Sequence, residues 1–280
     1  FLITSEIGPP KGTNIESILE EVALLKNKAD AINVTENQSS VMRLGSMAVC
    51  RLLKERGFEP VFQITCRDRN RLALQSDLIS ASVLGIKNVL CLTGDHVVLG
   101  DHPQAKPVFD LDSVNLLKIA KGLTDGYDMV GNKLDGSPDF CLGAVVNPGA
   151  DPLEPQIIKM EAKVEAGAEF FQTQAVYEVK KFEEFIKATE HIKVPIMVGI
   201  VLLKSAGMAR FMNANVAGVS VPDKFIKVMA EASREDRPKK SIEIAASLIK
   251  EMKSMCQGVH IMSLGWDRYV PSLLEAAELV

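Results

Sequence analysis

Short runs of β-branched and apolar residues alternate along this chain with longer stretches whose apolar positions recur at helical spacing. The short runs are 2–7, 31–35, 61–66, 88–94, 140–146, 170–176, 195–202 and 259–264. They are apolar on both faces, as parallel strands covered by helices are. Helices are predicted at 14–27, 40–56, 70–84, 112–123, 154–166, 179–190, 205–213, 223–232, 239–254 and 269–279. In the first of these, Ile15, Ile18, Leu19, Val22 and Leu25 share one face, and Thr13 with Glu16 has the spacing of a capping box.

Eight strands, each followed by helix, within 280 residues predict an α/β fold, a (β/α)8 TIM barrel in a single domain over residues 1–280. A doubly wound open sheet has the same order of elements. It needs a Gly-rich turn after its first strand, and Gly8-Pro9-Pro10 is the wrong chemistry. No linker, repeat or low-complexity tract divides the chain. Segments 95–111 and 124–139 are long, polar and contain Gly and Pro, so both are expected to form loops over an active site.

In such a barrel the chemistry gathers at the C-terminal ends of the strands. The polar residues predicted there are Glu6, Thr35, Glu36, Gln63, Thr65, Thr93, Asp95, Asn147, Gln172, Gln174 and Ser263. Glu6 closes the first strand, just before the rigid Ile7-Gly8-Pro9-Pro10 turn. Gln172 and Gln174 share one strand face, and Gly94 suggests close backbone approach. The set has prominent acids, neutral amides and no histidine, which points to proton donation and hydrogen bonding of a polar heterocycle rather than to a metal. Each residue also has a bland role: Glu6 as a solvated acid, Asp95 as a cap, the glutamines as partners of neighbouring strands.

Other residues read as structural by pattern. Lys163 is expected to be a solvated helix lysine. Arg67, Arg69 and Arg71 form a solvated charge run, with a phosphate held at a helix N-terminus as the alternative. His191 and His260 read as structural, and the scattered methionines as core filler.

Composition narrows the class. Apolar residues at 47% supply a sizeable core, and a net charge of −4 leaves no basic excess for nucleic acid or an anionic membrane. No apolar stretch reaches the roughly 20 residues of a membrane helix. The chain opens on Phe1-Leu2-Ile3 rather than Met, so a preceding segment is among the expectations, and this start lacks the pattern of a signal peptide. Five cysteines, odd in number and without a CxxC pair, are expected to be buried thiols in a reducing cytoplasm.

Six stretches in register resemble the methylenetetrahydrofolate reductase family: SEIGPPKG (5–12), ITCRDRNRLALQSDL (64–78), LTGD (92–95), GDHPQAKPVFDLDS (100–113), GAVVNP (143–148) and KVEAGAEFFQTQAVY (163–177). The resemblance runs from Leu2 to about residue 213. It implies a barrel with a flavin at its C-terminal face that reduces 5,10-methylenetetrahydrofolate to 5-methyltetrahydrofolate, in one-carbon metabolism. By the same resemblance Glu6 is the general acid that opens the substrate's five-membered ring, Asp95 lies beside flavin and pterin, and Gln174 binds the folate. Thr35 and Lys163 match flavin-binding positions, and Gln63, Thr65, Thr93 and Asn147 are grouped with them along the cofactor.

Three departures accompany the match. Gln63 stands where many members carry a histidine, Asn147-Pro148-Gly149 replaces a tyrosine region, and Gly265-Trp266-Asp267-Arg268 replaces an Asn-Arg pair. They set FMN beside FAD, the family's default, and set an electron-donating partner subunit beside NAD(P)H. An oligomer is expected. Two other classes compete: a pterin-binding methyltransferase acting on a corrinoid protein, and a non-catalytic subunit that docks a redox partner.

Overall fold

A computed structural model describes residues 1–280. Eight parallel strands close into a barrel in sequence order. They are β1 (Leu2–Ile7), β2 (Ala31–Val34), β3 (Pro60–Thr65), β4 (Asn88–Leu92), β5 (Cys141–Val146), β6 (Phe170–Ala175), β7 (Ile196–Val201) and β8 (Gly258–Met262). Pairing of β1 with β8, Thr4 opposite His260, completes the ring. All eight expected strands are present, within two residues at either end.

The helices around the barrel are α1 (Glu16–Ala23), α2 (Ser46–Glu55), α3 (Arg71–Val83), α4 (Ser113–Thr124), α5 (Glu154–Glu165) and α6 (Val179–Ala188). Three more, α7 (Ala206–Asn215), α8 (Asp223–Glu231) and α9 (Arg237–Met252), lie between β7 and β8, and α10 (Val270–Ala276) closes the chain. The expected capping box on α1 does not form. Ile15 occupies the cap position, and the Glu16 amide donates instead to Asn14 Oδ1 at 3.2 Å. Helix α2 starts at Ser46 rather than near residue 40, because Asn37, Ser39 and Ser40 take left-handed backbone angles and turn the chain first.

Burial is divided between two layers. A continuous core of 63 residues fills the space between strands and helices. Inside the barrel, at its N-terminal end, Val61, Leu90, Phe170 and Met197 form a small apolar plug. Gly143 makes room for it, since a Cβ there would lie 2.1 Å from the Phe170 ring. Above the plug the inward positions are polar: Thr4, Asn33, Gln172 and His260, all buried. This alternation lifts the polar side chains toward the C-terminal mouth, where solvent and ligands enter.

The two long loops lie at opposite ends. Residues 95–111 follow β4 and strap the C-terminal face. Gly100 packs on the Ser40 backbone so closely that a Cβ would come within 1.7 Å of its oxygen, and Asp101 accepts from the Met42 amide and pairs with Lys11. Residues 124–139 join the end of α4 to the start of β5, so they lie at the N-terminal face and line no part of the central cavity. This corrects the expectation that both loops cover an active site. No helix is long and apolar enough to cross a membrane.

Candidate active site

The C-terminal mouth of the barrel holds a cavity of about 500 Å³. Glu6, Thr35, Gln63, Thr65, Thr93, Asp95, Asn147, Lys163 and Gln174 all line it, together with Glu36, Gln38, Arg67, Gln172 and His260. Ser263 does not. Its hydroxyl donates to Asp267 Oδ1 at 2.6 Å, behind the strand.

Glu6 projects from β1 into this cavity with its side chain 11% exposed. Gln63 Nε2 donates to Oε2 at 3.0 Å and Gln38 Nε2 to Oε1 at 3.3 Å. The ring of His260 approaches from β8, with Nε2 3.7 Å from Oε2. Its Nδ1 lies 2.9 Å from the Thr4 hydroxyl. Gln172 Nε2 donates to Thr4 Oγ1 at 3.2 Å and exchanges hydrogen bonds with Asn33 at 2.8 and 3.0 Å. His260, read from pattern as structural, is thus part of the wall beside Glu6, and the site does contain a histidine. The signal was present in the strand: a polar residue between Val259 and Ile261 shares its inward face with Met262. Gln38 had no such signal, because it lies in a turn.

Asp95 reaches the mouth through a glycine. Gly94 has φ +90°, and a Cβ there would sit 3.0 Å from Thr65 Cβ and 3.2 Å from Arg67 Cβ. Only glycine takes this conformation and this gap without strain. Asp95 itself is exposed, while its carbonyl accepts from Arg67 at 3.4 Å. Thr93 Oγ1 accepts from the Ser113 amide at 3.2 Å, at the start of α4.

The arginine run is solvated only at Arg71, which is exposed, whereas Arg67 is buried and Arg69 half-buried. Arg67 pairs with Asp68 at 2.7 Å, Arg69 bridges Glu36 and Asp77, and Arg71 clamps Asp110. Each guanidinium is neutralised by an acid. Glu36 is buried in this network and also accepts from the Ser46 amide, so its role is to hold the start of α2.

Lys163 corrects its expectation more sharply. It is buried on the inner face of α5, and Nζ donates to Val145 O at 2.5 Å. Burial, and behind it the charge of Lys159, pulls its ammonium down to about 8. The hydroxyls of Thr35 and Thr65 are buried on the cavity wall with no hydrogen-bond partner. Unpaired polar atoms of this kind are uncommon in folded interiors. Asn147 spends its amide on the chain, donating to Ala217 O at 2.9 Å and accepting from Gly149 at 3.2 Å.

Gln172 and Gln174 both line the cavity but at different depths. The pairing of β6 with β7 shifts register between Gln172 and Ala175, leaving Gln172 buried in the barrel and Gln174 exposed at the mouth. Arg268 lies outside the cavity, exposed, 3.5 Å from Glu21. Four cysteines are buried and Cys141 is half-buried; all five are free thiols. Burial pushes Cys50 and Cys66 up to about 12.

Comparison with known proteins gives this site a family. Solved structures supply the fold. An uncharacterized protein from Clostridium thermocellum that binds two copies of 5-methyl-5,6,7,8-tetrahydrofolic acid aligns with TM-score 0.63 at 17% identity, over 99% of this chain and 93% of that one. A 2,3-dimethylmalate lyase aligns with TM-score 0.54 at 12% identity, over 99% and 81%. Among sequences, methylenetetrahydrofolate reductase 2 of Schizosaccharomyces pombe is 25% identical over 98% of this chain and 45% of its own length. The 5,10-methylenetetrahydrofolate reductase of Salmonella typhimurium is 24% identical over 89% of this chain and 80% of its own. The chain therefore spans less than half the length of its yeast relative. The sequence model described as methylenetetrahydrofolate reductase matches residues 1–278, and over that span the chain belongs to the methylenetetrahydrofolate reductase family.

Proposed function

We propose that this barrel reduces 5,10-methylenetetrahydrofolate to 5-methyltetrahydrofolate with a bound flavin. The observation that carries the reading is the Glu6 carboxyl, oriented by Gln63 and Gln38 inside a cavity that also contains Asp95 and Gln174. The cavity fits a flavin. The unpaired Thr35 and Thr65 hydroxyls await a polar ring edge, and the buried Lys163 ammonium faces the cavity without a carboxylate partner. Thr35, Gln63, Thr65, Thr93 and Lys163 would hold it, and when bound it supplies the hydride.

The chain's own residues do the remaining work. Glu6 gives a proton to the bridging nitrogen of the folate, so that the five-membered ring opens to an iminium carbon able to accept hydride. The exposed carboxylate of Asp95 favours the cationic iminium. Gln174, at the mouth, hydrogen-bonds the pterin. Arg268 points away from the cavity, so the chain offers nothing at that position for an adenine half. FAD remains the family default and FMN the alternative. Electrons arrive from NAD(P)H or from a partner subunit.

The test is Glu6→Gln. The variant should bind flavin and accept electrons from reduced viologen as wild type does, yet lose folate reduction by about 10²–10⁴-fold, the range of a general acid. Unchanged folate turnover would remove Glu6 from the mechanism, and a colourless protein that binds neither FAD nor FMN would sink the reading. A second reading, methyl transfer from 5-methyltetrahydrofolate to a corrinoid protein, draws support from the Clostridium thermocellum barrel's folate ligand. It needs no flavin, so the visible spectrum separates the two.

A further inference from the structure

We propose that Thr4 and His260 are positioning residues that keep the acidic proton of Glu6 on Oε1, where substrate can take it; this rests on Glu6 being the acid of folate reduction. The chain of contacts runs inward from the carboxyl: Glu6 to His260, His260 to Thr4, Thr4 to Gln172, Gln172 to Asn33. No carboxylate lies within this chain below Glu6, so the arrangement works by donor and acceptor roles.

The Thr4 hydroxyl has one proton and three acceptors in reach. His260 Nδ1 is 2.9 Å away, Val259 O is at 3.5 Å and Met197 Sδ at 3.9 Å. The first is a normal hydrogen bond and the others are at the limit. One of the hydroxyl's two lone pairs accepts from Gln172 Nε2, whose amide is oriented by its reciprocal pair with Asn33, and a ring N–H donated to the other would leave the Thr4 proton only the two longer contacts. Thr4 therefore donates to Nδ1. A neutral imidazole that accepts at Nδ1 carries its own proton on Nε2. That N–H faces Glu6 Oε2 from 3.7 Å, the same oxygen that accepts from Gln63.

A carboxylic proton on Oε2 would oppose the Gln63 amide that donates there and the His260 N–H that faces it from just beyond hydrogen-bond distance. The proton rests on Oε1, where the Gln38 amide, which donates to Oε1 at 3.3 Å, must turn its oxygen inward to accept once that oxygen is protonated. In the opposite tautomer Nε2 would be a bare acceptor. It would draw the Glu6 proton into an O–H···N bond inside the barrel, against a ring only 3% exposed. The acid would still be present but hidden from the folate. Thr4 is thus the group that decides which oxygen is the working one.

The experiment is nitrogen-15 NMR on histidine-labelled protein, with single-turnover kinetics beside it. The chain has four histidines, and His96, His102 and His191 are exposed. Replacing each by Gln assigns His260 by elimination without disturbing the barrel. Wild type should show His260 as the Nε2–H tautomer, and Thr4→Val should lose that preference. In flavin-loaded protein reduced beforehand, oxidation by methylenetetrahydrofolate should slow by about 10²-fold in His260→Leu and Thr4→Val, as expected for a misplaced reacting group. Folate affinity should stay within about twofold of wild type. His260→Gln, which returns an N–H donor, should recover most of the rate. Finding the proton on Nδ1 in wild type would overturn the proposal; that result follows if Thr4 donates instead to a turned Gln172 amide. Wild-type rates in both His260→Leu and Thr4→Val would overturn it equally. Failure of wild type itself to oxidise its flavin with folate would instead strike the folate-reductase reading, whatever the tautomer.

Discussion

Replacing Lys163 by Met should make this protein more stable at neutral pH, although it removes a hydrogen bond. The side chain is 8% exposed, and its ammonium sits at about 8 instead of 10.5, chiefly because burial strips its water. At about 1.4 kcal/mol per pH unit, holding that charge costs the folded state roughly 3 kcal/mol at pH 7. The folded value is the lower one, so the unfolded chain binds the proton more tightly. The penalty is full below pH 8 and fades as the pH rises toward 10.5. Methionine of similar length removes the charge and forfeits a charge-assisted bond to Val145 O, worth about 2 kcal/mol. The variant should therefore gain about 1 kcal/mol at pH 7 and nothing at pH 10. Urea unfolding of both proteins across this range measures the difference. A variant less stable than wild type at pH 7, or a gap that does not change with pH, would refute the reasoning. A natural chain that tolerates such a penalty keeps the cation for another purpose, and an anionic group on the bound ligand is the purpose proposed here.

Two further substitutions probe the walls of the cavity. Gly94→Ala places a Cβ at φ +90° and 3.0 Å from Thr65 Cβ. It should cost about 2 kcal/mol, lowering the melting temperature by about 4–8 °C, and weaken folate binding by displacing Asp95. Unchanged melting would show that the turn relaxes freely. Asn33→Leu leaves the Gln172 amide without its reciprocal partner and should cost about 2–3 kcal/mol, whereas Asn33→Leu with Gln172→Leu should cost less than the sum of the two singles. Strict additivity in urea unfolding would mean the two amides do not act as a pair.

Much of this architecture could be read before any coordinates. Parallel strands buried on both faces must be short apolar runs, and helices that cover them must carry an apolar stripe, so eight strands and ten helices announce themselves in local pattern. Strand ends are equally local, which is why Glu6, Thr35, Gln63, Thr65 and Gln174 could be named as inward-facing polar residues. Even the misplaced loop 124–139 was decidable from order alone, because a connection from helix to strand returns to the N-terminal face.

What the sequence could not decide depends on partners far along the chain. Helical periodicity separates apolar from polar faces, but it does not say whether a polar face meets water or a cavity, and Lys163 was assigned to the wrong one. The acids that neutralise Arg69 and Arg71 are Glu36, Asp77 and Asp110, and no local pattern pairs them. His260 gained its place beside Glu6 only when β8 closed against β1. Hydrophobic pattern is written residue by residue and so determines the elements. Charge pairing, proton placement and burial of polar groups depend on distances through space, and only the closed barrel sets those.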